Sequence, residues 1–249
     1  MNSGFEDRPS LVVSVVSHGH GAMVQSLLQD IAKLSAGVVS RIVLTINIAE
    51  ETSFLHENDW PFALDLRFNK NPLGFGKNHN AALLNASEDF FCILNPDVRL
   101  QRADPFSKLV WTAANSDGAC AYPLQVDESG EVQDSERALV TPMALLQRRV
   151  LRKKEMRVDW VNAACLVFPR KLWESIQGFD ESYHMYCEDV DLCLRIQLAG
   201  FHLKKAPCTL VHSGSRASHV KINHMIWHVK SLFHLWFSPV YKSYKKLAY

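Results

Sequence analysis

The sequence predicts an open α/β fold built on a mostly parallel central sheet. Three observations carry that prediction. From Leu11 to Tyr122, apolar runs too short for helices alternate with stretches of helical periodicity. Glycine and turn residues punctuate the alternation. Polar residues suited to chemistry follow directly on the apolar runs, where an open α/β sheet places its functional loops.

The elements follow in order. Leu11 to Ser17 is a valine-rich run bounded by Gly19 and Gly21, and reads as a buried parallel strand. In Met23 to Leu34 the residues Met23, Leu27, Leu28, Ile31 and Leu34 recur at helical spacing, and Arg41 to Ile48 gives a second buried strand. Strand, helix, strand predicts a right-handed crossover. The alternation continues with a strand at Ala63 to Phe68, a helix at Lys77 to Asn85, a strand at Phe90 to Leu94, a helix from Pro105 to Asn115 and a strand at Ala119 to Tyr122. Beyond these, Gln125 to Gln133 turns at Glu128-Ser129-Gly130 and predicts a small hairpin. Thr141-Pro142 marks a helix start, Val158 to Phe168 is a strand candidate, and Glu188 to Ala199 is a helix ending at Gly200. His202 to His212 is extended, with an interruption at Pro207. Near the end, Ile222, Met225, Ile226, Val229, Leu232, Phe233, Trp236 and Phe237 fall on one stripe of an amphipathic C-terminal helix. That stripe suits either the core or an anionic membrane surface.

At 249 residues with 47% hydrophobic and 21% charged content, the chain has the size of one globular domain with a short appendage. Its 27 Lys+Arg against 26 Asp+Glu leave a net charge of +1, which excludes a whole-molecule field attracting nucleic acid. Six scattered cysteines lack zinc or redox spacing and read as buried thiols in a reducing compartment. Met1 to Ser10 is polar, without the order of a signal peptide, and no apolar run reaches the length of a membrane span. The expectation is a cytoplasmic protein, with peripheral contact at the cytoplasmic face of the inner membrane if the last helix docks there.

Three groups of residues carry chemistry. Asn95-Pro96-Asp97-Val98 follows the apolar run Phe90 to Leu94, which sets a carboxylate where it can hold a hard cation beside a diphosphate; an Asx turn is the plainer reading. Glu188-Asp189-Val190-Asp191 opens a helix after Gly178-Phe179-Asp180-Glu181. Acids there can simply complement the helix dipole, yet three in four positions would raise the pKa of at least one and suit a general base. Asn69 to Asn80 is a glycine-containing loop entering a helix, with Lys77 available to phosphate but without Walker A spacing. His18 and His20, two apart on a loop, are a weak metal pair, and His212 by itself reads as structural.

In their order, the Asn-x-x-Gly-Phe-Gly-x-x-x-Asn loop, Asn-Pro-Asp-Val, Gly-Phe-Asp-Glu, Glu-Asp-Val-Asp-Leu-x-x-Arg, Gly200 and a late His resemble the family 2 glycosyltransferases of the GT-A fold. The branch most resembled is that of bacterial rhamnosyltransferases of surface polysaccharide synthesis. The resemblance covers Leu11 to Ser215, densest over Gly178 to Gly200. It implies a GT-A domain over 1–215, with a nucleotide-sugar half at 11–123 and an acceptor half at 124–215, followed by a C-terminal amphipathic segment at 216–249. It further implies a nucleotide-diphosphate sugar donor, a glycan or lipid-linked glycan acceptor and a Mg²⁺ or Mn²⁺ ion. Asp97 and His212 would hold the metal, with Asn95 beside it. Asp189 would be the base with Glu188 in support. Ser17 and Asn47 would border the nucleoside, and Asn71, Lys77 and Asn80 the nucleotide sugar. The family's usual Asp-Asn-x-Ser-x-Asp after the second strand is replaced here by Asn47-Ile48-Ala49-Glu50-Glu51. Its usual Asn-Tyr-Asn after the first is replaced by His18-Gly19-His20. Two other readings are a sugar-nucleotide pyrophosphorylase, which lacks its Arg/Lys glycine loop here, and a non-catalytic carbohydrate-binding or scaffold subunit.

Overall fold

The computed structural model describes residues 9–56, 59–101, 103–116, 118–141, 157–214 and 222–248. Its first half is the predicted alternation. Strands β1 (Leu11–Ser17), β2 (Val39–Ile46), β3 (Ala63–Phe68) and β4 (Phe90–Leu94) pair in parallel, with helices α1 (Gly21–Leu34) and α2 (Phe75–Leu83) crossing between them. Both faces of β1 are covered, which is why its sequence is an unbroken apolar run. Leu11, Val13 and Val15 pack with Leu27, Leu28 and Ile31 of α1. Val12 packs in the opposite layer with Phe91, Ile93 and Leu83.

The second half adds β5 (Val98–Arg99), α3 (Phe106–Asn115), β6 (Cys120–Val126), β7 (Glu136–Arg137), β8 (Trp160–Val161), β9 (Cys165–Pro169), α4 (Arg170–Ile176), α5 (Glu188–Leu198) and β10 (Leu203–His212). The main sheet has eight strands in the order β3-β2-β1-β4-β9-β6-β10-β5, and β7 pairs with β8 in a second ladder. β9 is antiparallel to both β4 and β6, β6 and β10 are parallel, and β5 returns antiparallel on β10, so the sheet is mixed and mostly parallel. Because the chain passes from β1 to β2 on one side and later to β4 on the other, the order reverses at β1. A crevice therefore opens where β1 and β4 end, at Ser17 and Asn95.

Several expectations are corrected in detail. Val158 to Phe168 is two strands, because Trp160 and Val161 pair with β7 in the second ladder while Cys165 to Pro169 pair with β4 in the main sheet; between them Asn162 exchanges side-chain amide hydrogen bonds with Gln125. The ladder of β10 with β6 loses register between Lys205 and Thr209, as a proline without an N–H at 207 requires. The hairpin at Gln125 to Gln133 is present, closed by the Val126–Val132 bridge. The C-terminal stripe lies on one helix as expected, α6 (Ile222–Phe237), and after Ser238 a further helix, α7 (Pro239–Ala248), opens at Pro239. The helix expected from Thr141-Pro142 lies outside the described residues. Within them, no helix is long and apolar enough to cross a membrane.

Candidate active site

The turn after β4 is fixed from both sides, since the Asn95 N–H donates to the Ala164 carbonyl and the Asn95 carbonyl accepts from the Val98 N–H. It presents Asp97 just before β5. Because β5 pairs with β10 in the register Val98 to His212, Asp97 and His212 are brought together, with Oδ2 3.4 Å from Nε2. The other oxygen, Asp97 Oδ1, is buried and has no hydrogen-bond partner among the described residues. Burial pushes the Asp97 carboxyl up, but His212 and the local backbone bring it below the ordinary carboxylate range, so it is ionised.

His212 is oriented from behind. Gln133 Nε2 donates to the His212 carbonyl at 2.6 Å, which turns Gln133 Oε1 toward His212 Nδ1 at 3.1 Å. An amide oxygen only accepts, so Nδ1 carries a proton and Nε2 is the ring nitrogen presented to Asp97. A carboxylate with an orphaned oxygen beside an imidazole nitrogen is a donor set that fits Mg²⁺ or Mn²⁺. Among the described residues no three His, Cys, Asp or Glu side chains are placed to hold a metal. Asp97 and His212 would therefore supply two ligands, and a diphosphate and water the others.

The second carboxylate group stands at the start of α5. The chain reaches it through two consecutive non-glycine residues with left-handed backbone, Tyr186 (φ 71°) and Cys187 (φ 65°). Such conformations cost energy that surrounding contacts must offset. Glu188 is 8% exposed, and its Oε2 has no partner among the described residues. Burial, and for Glu188 the neighbouring Asp189, pushes both carboxyls above their ordinary values; the Val190 N–H and Arg137 oppose the rise at Asp189. Asp191 differs from both. It pairs with Arg195 at 2.7 Å, and Arg195 also donates to the carbonyls of Ile176 and Gly178. Of the three acids, Asp191 is the one tied to Arg195.

The loop between β3 and α2 is built on asparagines. Asn47 Oδ1 accepts from Leu73 N–H and Asn69 Nδ2, while Asn78 Nδ2 donates to the carbonyls of Leu73 and Gly74. Asn47 is therefore the buried hub that shapes the loop, and its Nδ2 also meets His18 Nδ1. Asn80 is similarly engaged: its Oδ1 accepts from Phe179 N–H and its Nδ2 donates to the Phe179 carbonyl. It joins the loop to the Gly178 segment. Lys77 is half exposed, 3.8 Å from Glu181, and Asn71 is exposed. Ser17 is buried, with its hydroxyl accepting from His20 N–H.

Glycines allow the loops to interlock. A Cβ on Gly74 would sit 2.6 Å from the His184 carbonyl oxygen, which itself accepts from Phe75 N–H, and one on Gly76 would sit 2.6 Å from Phe179 Cβ. The loop of the nucleotide-sugar half thus rests directly on the segment that leads to Glu188.

Sequence reasoning missed three participants. Glu50 accepts from Gly21 N–H with Oε2, while its buried Oε1 is without a partner among the described residues and stands near the crevice between His18 and α1. Gln133 had no motif to mark it. His224 of α6 hydrogen-bonds Tyr186 OH at 2.8 Å, a contact between elements far apart in the chain. His18 and His20 do not form a metal pair: His20 Nδ1 accepts from His18 N–H.

No protein-family model matches the chain. Rhamnosyltransferase WbbL of Escherichia coli K12 is 26% identical over 244 residues, covering 89% of this chain and 90% of that protein. N-acetylglucosaminyl-diphospho-decaprenol L-rhamnosyltransferase of Mycobacterium tuberculosis is 30% identical over 163 residues, covering 55% of this chain and 53% of its own length. Among solved structures, GalNAc-T7 with UDP, GalNAc and Mn²⁺ superposes with TM-score 0.69 at 16% identity, over 94% of this chain and 49% of that one. The mannosyltransferase PcManGT of Pyrobaculum calidifontis, with GDP-Man and Mn²⁺, gives 0.65 at 17% identity, over 92% of this chain and 65% of that one. The chain therefore spans most of the first relative and about half of the second.

Proposed function

We propose that this chain, a family 2 glycosyltransferase of the GT-A fold, transfers a sugar with inversion from a nucleotide diphosphate to an acceptor hydroxyl of a bacterial surface polysaccharide. The observation that carries the reading is the pairing of two unlike acid sites: an ionised Asp97 facing His212, and a pair, Glu188 and Asp189, held above the ordinary carboxylate range. Groups whose environments push their pKa values apart divide naturally into an electrostatic site and a base.

Asp189 takes the proton of the acceptor hydroxyl while that oxygen forms its bond to the anomeric carbon. The bond from that carbon to the diphosphate breaks on the opposite face, so configuration inverts. Burial holds the base's proton affinity up, and Glu188 stands beside it with its own carboxyl pushed up by burial and by Asp189. Asp97 and His212 would hold a Mg²⁺ or Mn²⁺ ion, which neutralises charge growing on the leaving diphosphate. Lys77 of α2, 3.8 Å from Glu181, is a half-exposed cation that would add to that neutralisation. Ser17, Asn47 and Glu50 border the nucleoside, and Asn71 the sugar. Asn80 shapes the loop.

The relative that acts on a decaprenol-linked sugar and the rhamnosyltransferase name of the first support dTDP-rhamnose as donor and a glycan or lipid-linked glycan as acceptor. The working domain is 1–215, with 216–249 as an appendage that meets an anionic membrane at the cytoplasmic face.

The test is a thermal-shift screen of the purified protein against UDP-, dTDP- and GDP-sugars with Mg²⁺ or Mn²⁺, followed by transfer assays with the donor that responds. Metal-dependent stabilisation by one nucleotide class, and its loss in Asp97→Ala, is the expected result. Response to none, with the folded protein in hand, would overturn the reading.

A further inference from the structure

Helix α6 has two faces with different tasks. Its inner face holds the loop that delivers the catalytic carboxylates: His224 bonds Tyr186 OH, Trp227 lies edge-on to His184 at 5.0 Å, Ser231 donates to the Met185 carbonyl at 2.8 Å, and His234 meets Ser182 Oγ at 2.9 Å. These contacts fall on residues 182 to 186, immediately before Glu188, where Tyr186 and Cys187 hold left-handed backbone. The outer face carries Met225, Ile226, Val229, Phe233 and Phe237, all exposed. At 100° per residue these five span a 120° arc, the width of a core-facing stripe, yet among the described residues all five remain exposed. Five of the exposed large hydrophobic side chains on one helix form a contiguous patch, not the scattered apolar residues of an ordinary surface.

The charge around that patch identifies its occupant. From Arg216 to Tyr249 the sequence carries six Lys and Arg and no Asp or Glu, although the whole chain balances at +1. Lys230 flanks the patch, Lys242 sits 5.9 Å from the Phe237 ring, and Lys245 and Lys246 follow on α7. A second copy of the chain would set these cations against each other. A surface of anionic lipid headgroups over acyl chains matches both the charge and the apolar arc.

We propose that α6 couples the membrane to the active site: its outer face docks on an anionic bilayer, and docking fixes the strained 182–187 loop that positions Glu188 and Asp189. Among the described residues of α6, Ser231 and Leu235 are deeply buried and Leu232 and Trp236 pack partly against the core, so a surface on the exposed outer face would add to the order of the helix. Lipid that binds α6 in its helical, loop-bracing position shifts the population toward the competent loop. The consequence for transfer rests on the assignment of Asp189 proposed above; docking and ordering do not.

The experiment uses the full chain without donor or acceptor. Vesicles of phosphatidylglycerol and phosphatidylcholine in equal parts, and of phosphatidylcholine alone, are compared by cosedimentation, and amide hydrogen exchange is followed across residues 182–191. The anionic vesicles should bind selectively, less so at high salt, and slow exchange in that segment on the order of tenfold. Val229→Glu with Phe233→Glu, both at exposed positions, should weaken binding by at least about tenfold and abolish the protection. His224→Ala should still bind vesicles but lose the protection of 182–191. Equal binding to neutral vesicles, no binding at all, or binding that leaves exchange in 182–191 unchanged would overturn the proposal. So would a dimer dispersed by the Glu variants without any lipid effect. Nucleotide-sugar binding, measured without vesicles, reports separately on the donor reading.

Discussion

His212 Nε2 stands 3.4 Å from Asp97 Oδ2, and His212 Nδ1 is held at 3.1 Å by Gln133 Oε1. The first distance is longer than the 2.7–2.9 Å of a charge-assisted hydrogen bond, and the second contact places the imidazole proton on the far nitrogen. The three residues come from a strand-end turn, the end of β10 and a hairpin; the β5 to β10 pairing joins the first two, and the hairpin that follows β6 brings Gln133 to them.

Asp97→Ala should therefore remove Mn²⁺ binding measured by titration calorimetry, and His212→Ala should weaken it. Gln133→Leu, which removes neither Asp97 nor the Nε2 that faces it, should weaken it by about 10- to 100-fold, the usual cost of losing a residue that orients a ligand. Gln133→Glu keeps an acceptor for Nδ1 but sets its other oxygen against the His212 carbonyl, and should also bind more weakly than the parent. Nitrogen NMR of His212 in the metal-free protein should report a protonated Nδ1 in the parent and lose that preference in Gln133→Leu; the same tautomer in both would sink the assignment.

Asp189 must be ionised to accept a proton, and burial raises its pKa above the ordinary carboxylate value. The rate of transfer should thus climb with pH through an apparent pKa higher than that of a free aspartate, and flatten above it. Asp189→Asn should reduce kcat by at least about a thousandfold while leaving the donor Kd near that of the parent. Near-normal turnover in that variant would remove Asp189 from the mechanism.

Glu188 offers a stability measurement independent of substrate. Its folded-state pKa is raised by burial and by Asp189, so the folded chain binds this proton more tightly than the unfolded chain does. Stability from this group is greatest at low pH and is lost as pH rises through the folded value. Glu188→Gln should then raise Tm at alkaline pH, on the order of 2–4 °C per kcal/mol for a chain of this size, with the gain vanishing on acidification below the ordinary glutamate range. A variant less stable than the parent across the whole range would mean that Glu188 is ionised and satisfied.

At Gly76, where a Cβ would meet Phe179 Cβ at 2.6 Å, a methyl has to displace a buried ring. Gly76→Ala is expected to destabilise the fold by about 1–3 kcal/mol in denaturant unfolding. Gly74→Ala pushes on the His184 carbonyl instead, and should raise the donor KM more than it lowers stability. Equal stability of Gly76→Ala and the parent would show that the two loops can separate.

The first half of the fold was legible because β1, β2 and β4 are buried on both faces and its helices are amphipathic, so hydrophobic period alone separates them. The positions of Asp97 after a strand and of Asp189 at a helix start were legible for a related reason, since local sequence marks strand ends and helix starts. Three things were decided only by tertiary structure. The single strand expected at Val158 to Phe168 divides because its two ends pair with strands distant in sequence, β7 in the second ladder and β4 in the main sheet. Asn47 and Asn80 hold loops rather than stand open, since an asparagine amide serves backbone and ligand alike and only the fold shows which is in reach. The C-terminal stripe lies largely bare because an apolar arc in sequence says that something must cover it, and not whether the covering surface belongs to the same chain.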